Sequence, residues 1–495
     1  MLFLTTDMIR EAEARAMENV SAMQLIENAA FACYNEIKEF NSFRVYCGKG
    51  NNGSDGYQVA ILLKRDGKRV EIVQVEPPQN EDCRALCKKA MEEDIPIVQG
   101  ALFPTEEFEC SVDAIFGIGI KGEIENTDII RAIEMINSSG AYVVSCDVPS
   151  GFDSDTGKKC TIAVKADKTI TFTAPKRGML SNESIDLCGE IVIAEVGIPV
   201  DYNEITQSTC VPLTPKLAAT IIPKRSRYSH KGTFGTAVIV AGSKTMSGAA
   251  AMAAQAALRS GCGLVKVIAP SQICPILNIL VKEAIVIPVP EKDGIMLPEL
   301  SREAYDAIQT ADSILVGCGI GRGNHHLLIK NILSAASCGV IIDADGINAI
   351  AGELDIVKNK NVLLTPHVKE FSRISQMEVK DIEMRRIQIA DKFACEMGIN
   401  LLLKGARTVI TYGGSNKYVS LNSTSALAKA GSGDVLSGII VSFAAQGLSL
   451  TDSAALGCYI HSKAGIIAEK KIGAYGTVSG DLIELIPAVI REITR

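Results

Sequence analysis

The chain has no surplus of basic charge: 50 Lys and Arg stand against 57 Asp and Glu, for a formal net charge of −7. That argues against a nucleic-acid binder, which carries a basic face. It also provides no general attraction for anionic membranes or phosphorylated ligands. Any phosphate has to be held by local geometry, through backbone N–H groups at loop-to-helix turns. Clustered metal ligands are missing too. The five histidines (His230, His325, His326, His367 and His461) form no H-x-x-x-H pair, and the 15 cysteines include no C-x-x-C. A zinc site therefore has little support. The odd cysteine count suggests a reduced, cytoplasmic setting. The opening MLFLTTDMIREAEARAMENV turns charged after a very short apolar start, unlike a signal peptide. No run of about 18 apolar residues occurs, so no membrane span is expected. Internal repeats are not evident either.

What is present is ordinary globular composition, with 47% apolar and 22% charged residues over 495 positions. That length exceeds a typical single domain, so two or three are expected. An amphipathic opening spans roughly 7–38 at mostly helical spacing. Short apolar runs then alternate with helical stretches: 43–47, 70–75, 112–116, 142–148, 168–172 and 190–196. Strand, glycine-rich turn, helix and strand again imply a parallel sheet with helices on both faces. The stretch 197–216, with three prolines and many small polar residues, reads as a linker. A second β/α series follows: TAVIVAGS, LVKVIAP, SILVGCGIG, GVIIDADG, NVLLTPH and NLLLKG. Ligands in such sheets sit beyond the carboxyl ends of strands, so the residues just after each run carry the chemistry.

The sharpest signal is AKAGSGDVLSGIIVSFAAQG (428–447), a glycine-rich turn leading into a helix. Its glycines let several N–H groups point inward, and the helix N-terminus adds partial positive charge, making an anion hole. Asp434 in the first turn is placed to accept the proton of a substrate hydroxyl attacking a phosphoryl group. Taken alone the motif also reads as a capped helix with a tight turn. Other strand ends shift that balance: Lys404 and Thr408 around one turn, His367 after another, Gly317 to Gly319 after a third, Asp343 and Asp345 after a fourth. His230 and His461 are read as structural.

YSHKGTFGTAVIVAGS (228–243), DADGIN, LTPH, KGARTVI and AGSGDVLSGII resemble, in that order, the NAD(P)H-hydrate dehydratases of the ribokinase-like superfamily over about 216–495. The resemblance implies ADP-dependent repair of NADHX and NADPHX, the hydrated reduced nicotinamide nucleotides. There the C6 hydroxyl is phosphorylated and phosphate leaves, giving NAD(P)H, AMP and phosphate. It implies substrate contacts at Ala249, Gly319, His367 and Asp434, and adenine-nucleotide contacts at Lys404, Gly405, Ala406, Arg407, Thr408 and Gly433. Mg2+ is expected with the diphosphate, without a dedicated cage. Against the family pattern, Cys318 stands for proline, Val368 and Lys369 for Pro-Gly, and Ala430 for the first of a glycine pair.

In the first half, CGKGNNGSDGYQVA (47–60) joins a strand to a helix; it is neither G-x-G-x-x-G nor a P-loop, and by itself reads as a solvated Asn-Gly turn. Asp113 precedes a second glycine-rich turn, and Asp147 and Ser150 lie at a third strand end. Asp147 suits a general acid/base or a turn cap. With TFTAPKRGM (171–179), these motifs resemble the NAD(P)H-hydrate epimerase domain over about 1–215. The resemblance implies interconversion of R- and S-NAD(P)HX and catalysis at Asp147. It implies substrate contacts at Asn51, Asn52, Gly53, Ser54, Asp55, Gly117, Ile118, Gly119, Ile120, Lys121, Gly122, Glu123 and Asp147, and K+ held by Asn52, Asp113 and Ser150. Ser54 replaces a glycine of the family pattern, which matters if that position needs positive φ. The expected architecture is α/β in two domains, a Rossmann-like three-layer α/β/α sandwich at 1–215 and a ribokinase-like α/β/α sandwich at 216–495, forming a homo-oligomer. The competing reading is a ribokinase-like vitamin or sugar kinase with a non-catalytic N-terminal binding module.

Overall fold

The computed structural model describes residues 2–100, 106–200, 210–323, 325–414 and 417–494. The chain forms two compact units, Met1–Pro212 and Leu213–Arg495.

The first unit carries strands β1 (Ser42–Cys47), β2 (Arg69–Gln74), β3 (Ile97–Gln99), β4 (Cys110–Ala114), β5 (Tyr142–Cys146), β6 (Lys168–Phe172) and β7 (Glu190–Ala194). They run parallel in the order β3-β2-β1-β4-β5-β6-β7. Strand order reverses between β1 and β4, which opens a crevice beyond their carboxyl ends. Neighbouring residues of one strand face opposite cores. Phe43, Val45 and Cys47 pack with helices Ala22–Ile37, Asn51–Arg65 and Glu81–Glu92, while Tyr46 packs with Thr127–Ser138. Helices therefore cover both faces, each fully buried large side chain contributing about 1.5–3 kcal/mol.

Next in chain order is β8 (Cys210–Pro212), followed by β9 (Thr236–Val240), β10 (Leu264–Pro270), β11 (Ile285–Val289), the small pair β12 (Glu291–Lys292) and β13 (Ile295–Met296), then β14 (Ser313–Val316), β15 (Gly339–Ile342), β16 (Val362–Leu364), β17 (Asn400–Leu403), β18 (Val409–Tyr412) and β19 (Lys417–Val419). The large sheet has the order β11-β10-β9-β14-β15-β16-β17-β18-β19-β8. It is parallel from β11 to β17 and antiparallel through β18 and β19. Its reversal lies between β9 and β14. Ala237 and Ile239 join one core, Val238 and Val240 the other.

Three expectations need correction. The opening stretch is two helices, Thr6–Ala16 and Ala22–Ile37, because Ser21 is extended (φ −70°, ψ 152°) and its side chain accepts the Gln24 N–H to start a new helix. The 47–60 segment is not a solvated turn: Asn51 to Asp55 form the first turns of the helix Asn51–Arg65, with Asn52 to Asp55 buried. Of the expected linker, residues 201–209 lie outside the described residues, and its far end is ordered as β8 and a helix Pro215–Ile221 that Thr214 caps.

Candidate functional site

In the second unit, four strand tips close on the start of the helix Ser432–Ala445. Gly431 sits before it at φ +86°, a backbone conformation that favours glycine. Among the described residues the amides of Gly433 and Asp434 find no backbone acceptor, so two donors and the helix dipole face the same opening. A Cβ on Gly433 would lie 3.5 Å from the Lys404 ammonium. That ammonium pairs with Asp343 at 2.7 Å, and Ser437 Oγ donates to the second Asp343 oxygen at 2.7 Å. Cys318, Asp343 and Asp434 bring their ligand atoms within 4.8 Å of one another.

These neighbours set the charges. Lys404 and its hydrogen bond hold the Asp343 carboxyl below the usual range despite burial. Burial and the Asp343 charge push Asp434 up, to about 6. Asp434 is thus a base whose pKa lies near neutrality, as efficient proton transfer requires. Burial raises the Cys318 thiol well above its ordinary value, leaving it a proton donor toward the carboxylates. One thiol beside an already paired carboxylate is a poor cage for a hard, oxygen-seeking divalent cation.

The other expected residues surround this group unevenly. Gly319 has φ +62°, and a Cβ there would come within 2.8 Å of Ala249 Cβ, so these two adjoin. His367 caps the helix Val368–Ser375: its Nδ1 accepts the N–H groups of Lys369 and Glu370 at 3.1 and 3.2 Å. The proton therefore resides on Nε2, and burial with the Lys404 charge lowers the His367 pKa. Thr408 Oγ1 closes the 404–408 turn by bonding Gly405 N and O at 3.3 and 2.8 Å. Arg407 is buried, and its guanidinium donates to the Leu421 carbonyl.

The sequence did not single out Arg386, which donates to the Lys404 carbonyl and pairs with Glu383 at 2.8 Å. His461, read as structural, bonds the anion-hole residue Ser432 at 3.0 Å, and burial lowers its pKa to about 4. A neutral histidine held under the turn has no local sequence signal.

In the first unit the crevice lies between the tips of β1 and β4. A Cβ on Gly53 would sit 2.0 Å from the Gly48 carbonyl, and one on Gly56 would meet Ala114 and Cys47 within 3 Å. These glycines let the helix seat directly on the strands. Ser54 needs no positive φ: it is helical, fully buried, and its N–H bonds the Gly50 carbonyl at 3.0 Å. Its Oγ bonds the same carbonyl at 3.3 Å.

Asp113 is fully buried in β4, where Ser145 Oγ, Ser150 N, Ser150 Oγ and Ile115 N all donate to it. Burial raises its pKa, and these bonds oppose the rise. Asn52 donates to the Cys146 carbonyl at 2.8 Å, while its own Oδ1 is buried without a partner. Asp147 ends β5 at φ +67° and pairs with buried Lys176. A Cβ on Gly117 would lie within 3.7 Å of both Asn52 and Asp147 Oδ2. The 117–123 segment leads away from there as a more open loop whose Lys121 pairs with Asp155 at 3.2 Å. Ile118, Gly119, Ile120, Gly122 and Glu123 lie along it. Burial, then the charges of Asp147 and Glu13, drive the Asp55 pKa well up.

A Rossmann-like unit followed by a ribokinase-like unit with an anion hole and a poised aspartate defines a class of two-site nucleotide-handling proteins. Residues 237–488 match the family model of NAD(P)H-hydrate dehydratase, and residues 22–178 that of the YjeF-related protein N-terminus. The chain is 32% identical to the bifunctional NAD(P)H-hydrate repair enzyme Nnr of Dictyoglomus turgidum, over 100% of this chain and 99% of that one. It is 31% identical to the protein of the same name from Escherichia coli K12, over 99% and 94% of the two. A ribokinase-like superfamily protein of Enterococcus faecalis V583 shares the fold of the second unit: TM-score 0.52, 24% identity, 60% of this chain and 100% of that one. The chain belongs to the family of bifunctional NAD(P)H-hydrate repair enzymes.

Proposed function

We propose that residues 1–215 epimerise R- and S-NAD(P)HX and that residues 216–495 dehydrate the S form at the expense of ADP. The observation that carries this reading is the meeting of two unpaired amides, the Lys404 ammonium and the raised carboxylate of Asp434 at one helix start. Asp434 takes the proton of the C6 hydroxyl as its oxygen attacks the β-phosphoryl group of ADP. The Gly433 and Asp434 amides, with Lys404 beside them, stabilise the developing charge. AMP leaves; phosphate then departs from C6 as C5 gives up a proton, and the C5–C6 double bond returns. Gly319 and Ala249 form the apposed small surface for the nicotinamide nucleotide, and His367, neutral with its proton on Nε2, offers that donor to it. Mg2+ would arrive on the diphosphate and neutralise its oxygens, since the one cluster of possible ligands among the described residues pairs a thiol with a lysine-bound carboxylate and Asp434.

In the first unit Asp147 moves protons at C6, and the 51–55 helix start and the 117–123 loop hold the nucleotide. The partnerless Asn52 Oδ1, with a buried Asp113 that has no cationic partner among the described residues, suits K+ held by Asn52, Asp113 and Ser150. The reading extends to a cytoplasmic homo-oligomer. Among the described residues no cysteine pair forms a disulfide, which fits a reducing compartment, and the mass in solution checks the association. The deciding experiment incubates purified protein with ADP and hydrated NADH: reduced nicotinamide absorbance returns with release of AMP and phosphate. A phosphorylated product released intact would instead mark a small-molecule kinase.

A further inference from the structure

Lys176 is a lysine with no exposure at all. Its Nζ donates to Asp147 Oδ1, to Thr171 Oγ1 at 2.8 Å and to the Phe172 carbonyl at 3.0 Å. Three donors meet three acceptors, so the ammonium has one orientation. The backbone around it is pinned as well: Leu4 N bonds the Pro175 carbonyl at 2.9 Å and Arg177 N bonds the Leu4 carbonyl at 2.8 Å.

The consequence falls on Asp147. Its Oδ1 accepts from Lys176, from Phe172 N at 3.1 Å and from Thr171 Oγ1 at 3.4 Å. Oδ2 accepts from no donor among the described residues and faces Gly117, whose Cβ would lie 3.7 Å away. Asp147 is close enough to Asp55 and Glu13 for its charge to add to the burial that raises their pKa values, so an unanchored carboxylate would be pushed out of this cluster. Stability alone does not account for the pair, because a buried ion pair is often no better than an apolar replacement.

We propose that Lys176 is a positioning residue for the epimerase reaction: it ties down Oδ1 of Asp147 so that Oδ2 alone is presented to the substrate carbon beside Gly117. This rests on the reading of Asp147 as the acid/base. When Oδ2 is the acting oxygen, the buried ammonium orders it without touching the nucleotide.

The test measures R-to-S conversion of hydrated NADH by the full chain. In Lys176→Met, kcat falls about 100-fold, the cost of a misplaced group, while KM stays within about twofold of wild type. Lys176→Arg, which keeps the cation, recovers part of the loss. Asp147→Asn loses at least as much, and adding Lys176→Met to it costs nothing further, because the lysine acts only through that carboxylate. Thermal unfolding checks that each variant folds; should Met fail, Lys176→Gln retains N–H donors without the charge and is read in the same way. A folded Lys176 variant with wild-type kcat beside an inactive Asp147→Asn overturns the positioning role and leaves the acid/base reading intact. Wild-type conversion by Asp147→Asn sinks the acid/base reading itself.

Discussion

Each unit sets an aspartate at a chain turn, Asp147 just after β5 and Asp434 in the first turn of the helix Ser432–Ala445, yet the two carboxylates are treated in opposite ways. Asp147 is locked against a buried ammonium, in a left-handed backbone conformation. Among the described residues Asp434 has no such partner; Lys404, whose charge reaches it, is bonded to Asp343 instead. The second unit thereby places a neutralised carboxylate beside a poised one, and burial with the Asp343 charge brings Asp434 to about 6. The contrast teaches that the same residue type is either fixed or poised, according to where the neighbouring lysine spends its charge.

The comparison breaks most visibly in single substitutions that should separate the activities. Asp434→Asn is expected to lower ADP-dependent dehydration by about 10²–10⁴-fold and leave R-to-S conversion unchanged, measured on the two substrates separately. Asp147→Asn should do the reverse. The same Asp434 change is expected to stabilise the protein near neutral pH by on the order of 1–3 kcal/mol, read from chemical denaturation. An acid whose folded pKa is about 6 is ionised unfavourably above that pH. The gain therefore shrinks as pH falls through 6 and vanishes below the ordinary carboxylate value of about 4.

Smaller effects sharpen the picture. Below a midpoint of about 6, kcat/KM for dehydration should fall about tenfold per pH unit as Asp434 takes up its proton, and flatten above it. Gly53→Ala should cost about 1–3 kcal/mol, since its Cβ would overlap the Gly48 carbonyl at 2.0 Å. The smallest expected change is in Cys318→Ala. The thiol bond lowers the Asp434 pKa, so losing it moves the acid limb upward by a fraction of a unit.

Much of this was legible in the chain itself because apolar runs ending in glycine or aspartate report parallel strands and their tips. The 404–408 turn was singled out that way and Asp434 by its glycine-rich turn, whereas Asn51 to Asp55, read by themselves as a solvated turn, are helical and mostly buried. Partners contributed from far along the chain were not legible. Lys176 lies 29 residues from Asp147, and Asp343 lies 61 from Lys404; no local pattern pairs them. The Arg407 side chain is likewise committed to a carbonyl 14 residues away, Leu421, which no local pattern announces. The split at Ser21 was hidden because apolar spacing continues across a cap.

The most direct trial of the whole account follows reduced nicotinamide absorbance and phosphate release while ADP and hydrated NADH are supplied to wild type and to Asp434→Asn. The account predicts one phosphate per nicotinamide restored by wild type and neither product from the variant. Restoration by the variant at the wild-type rate would contradict it.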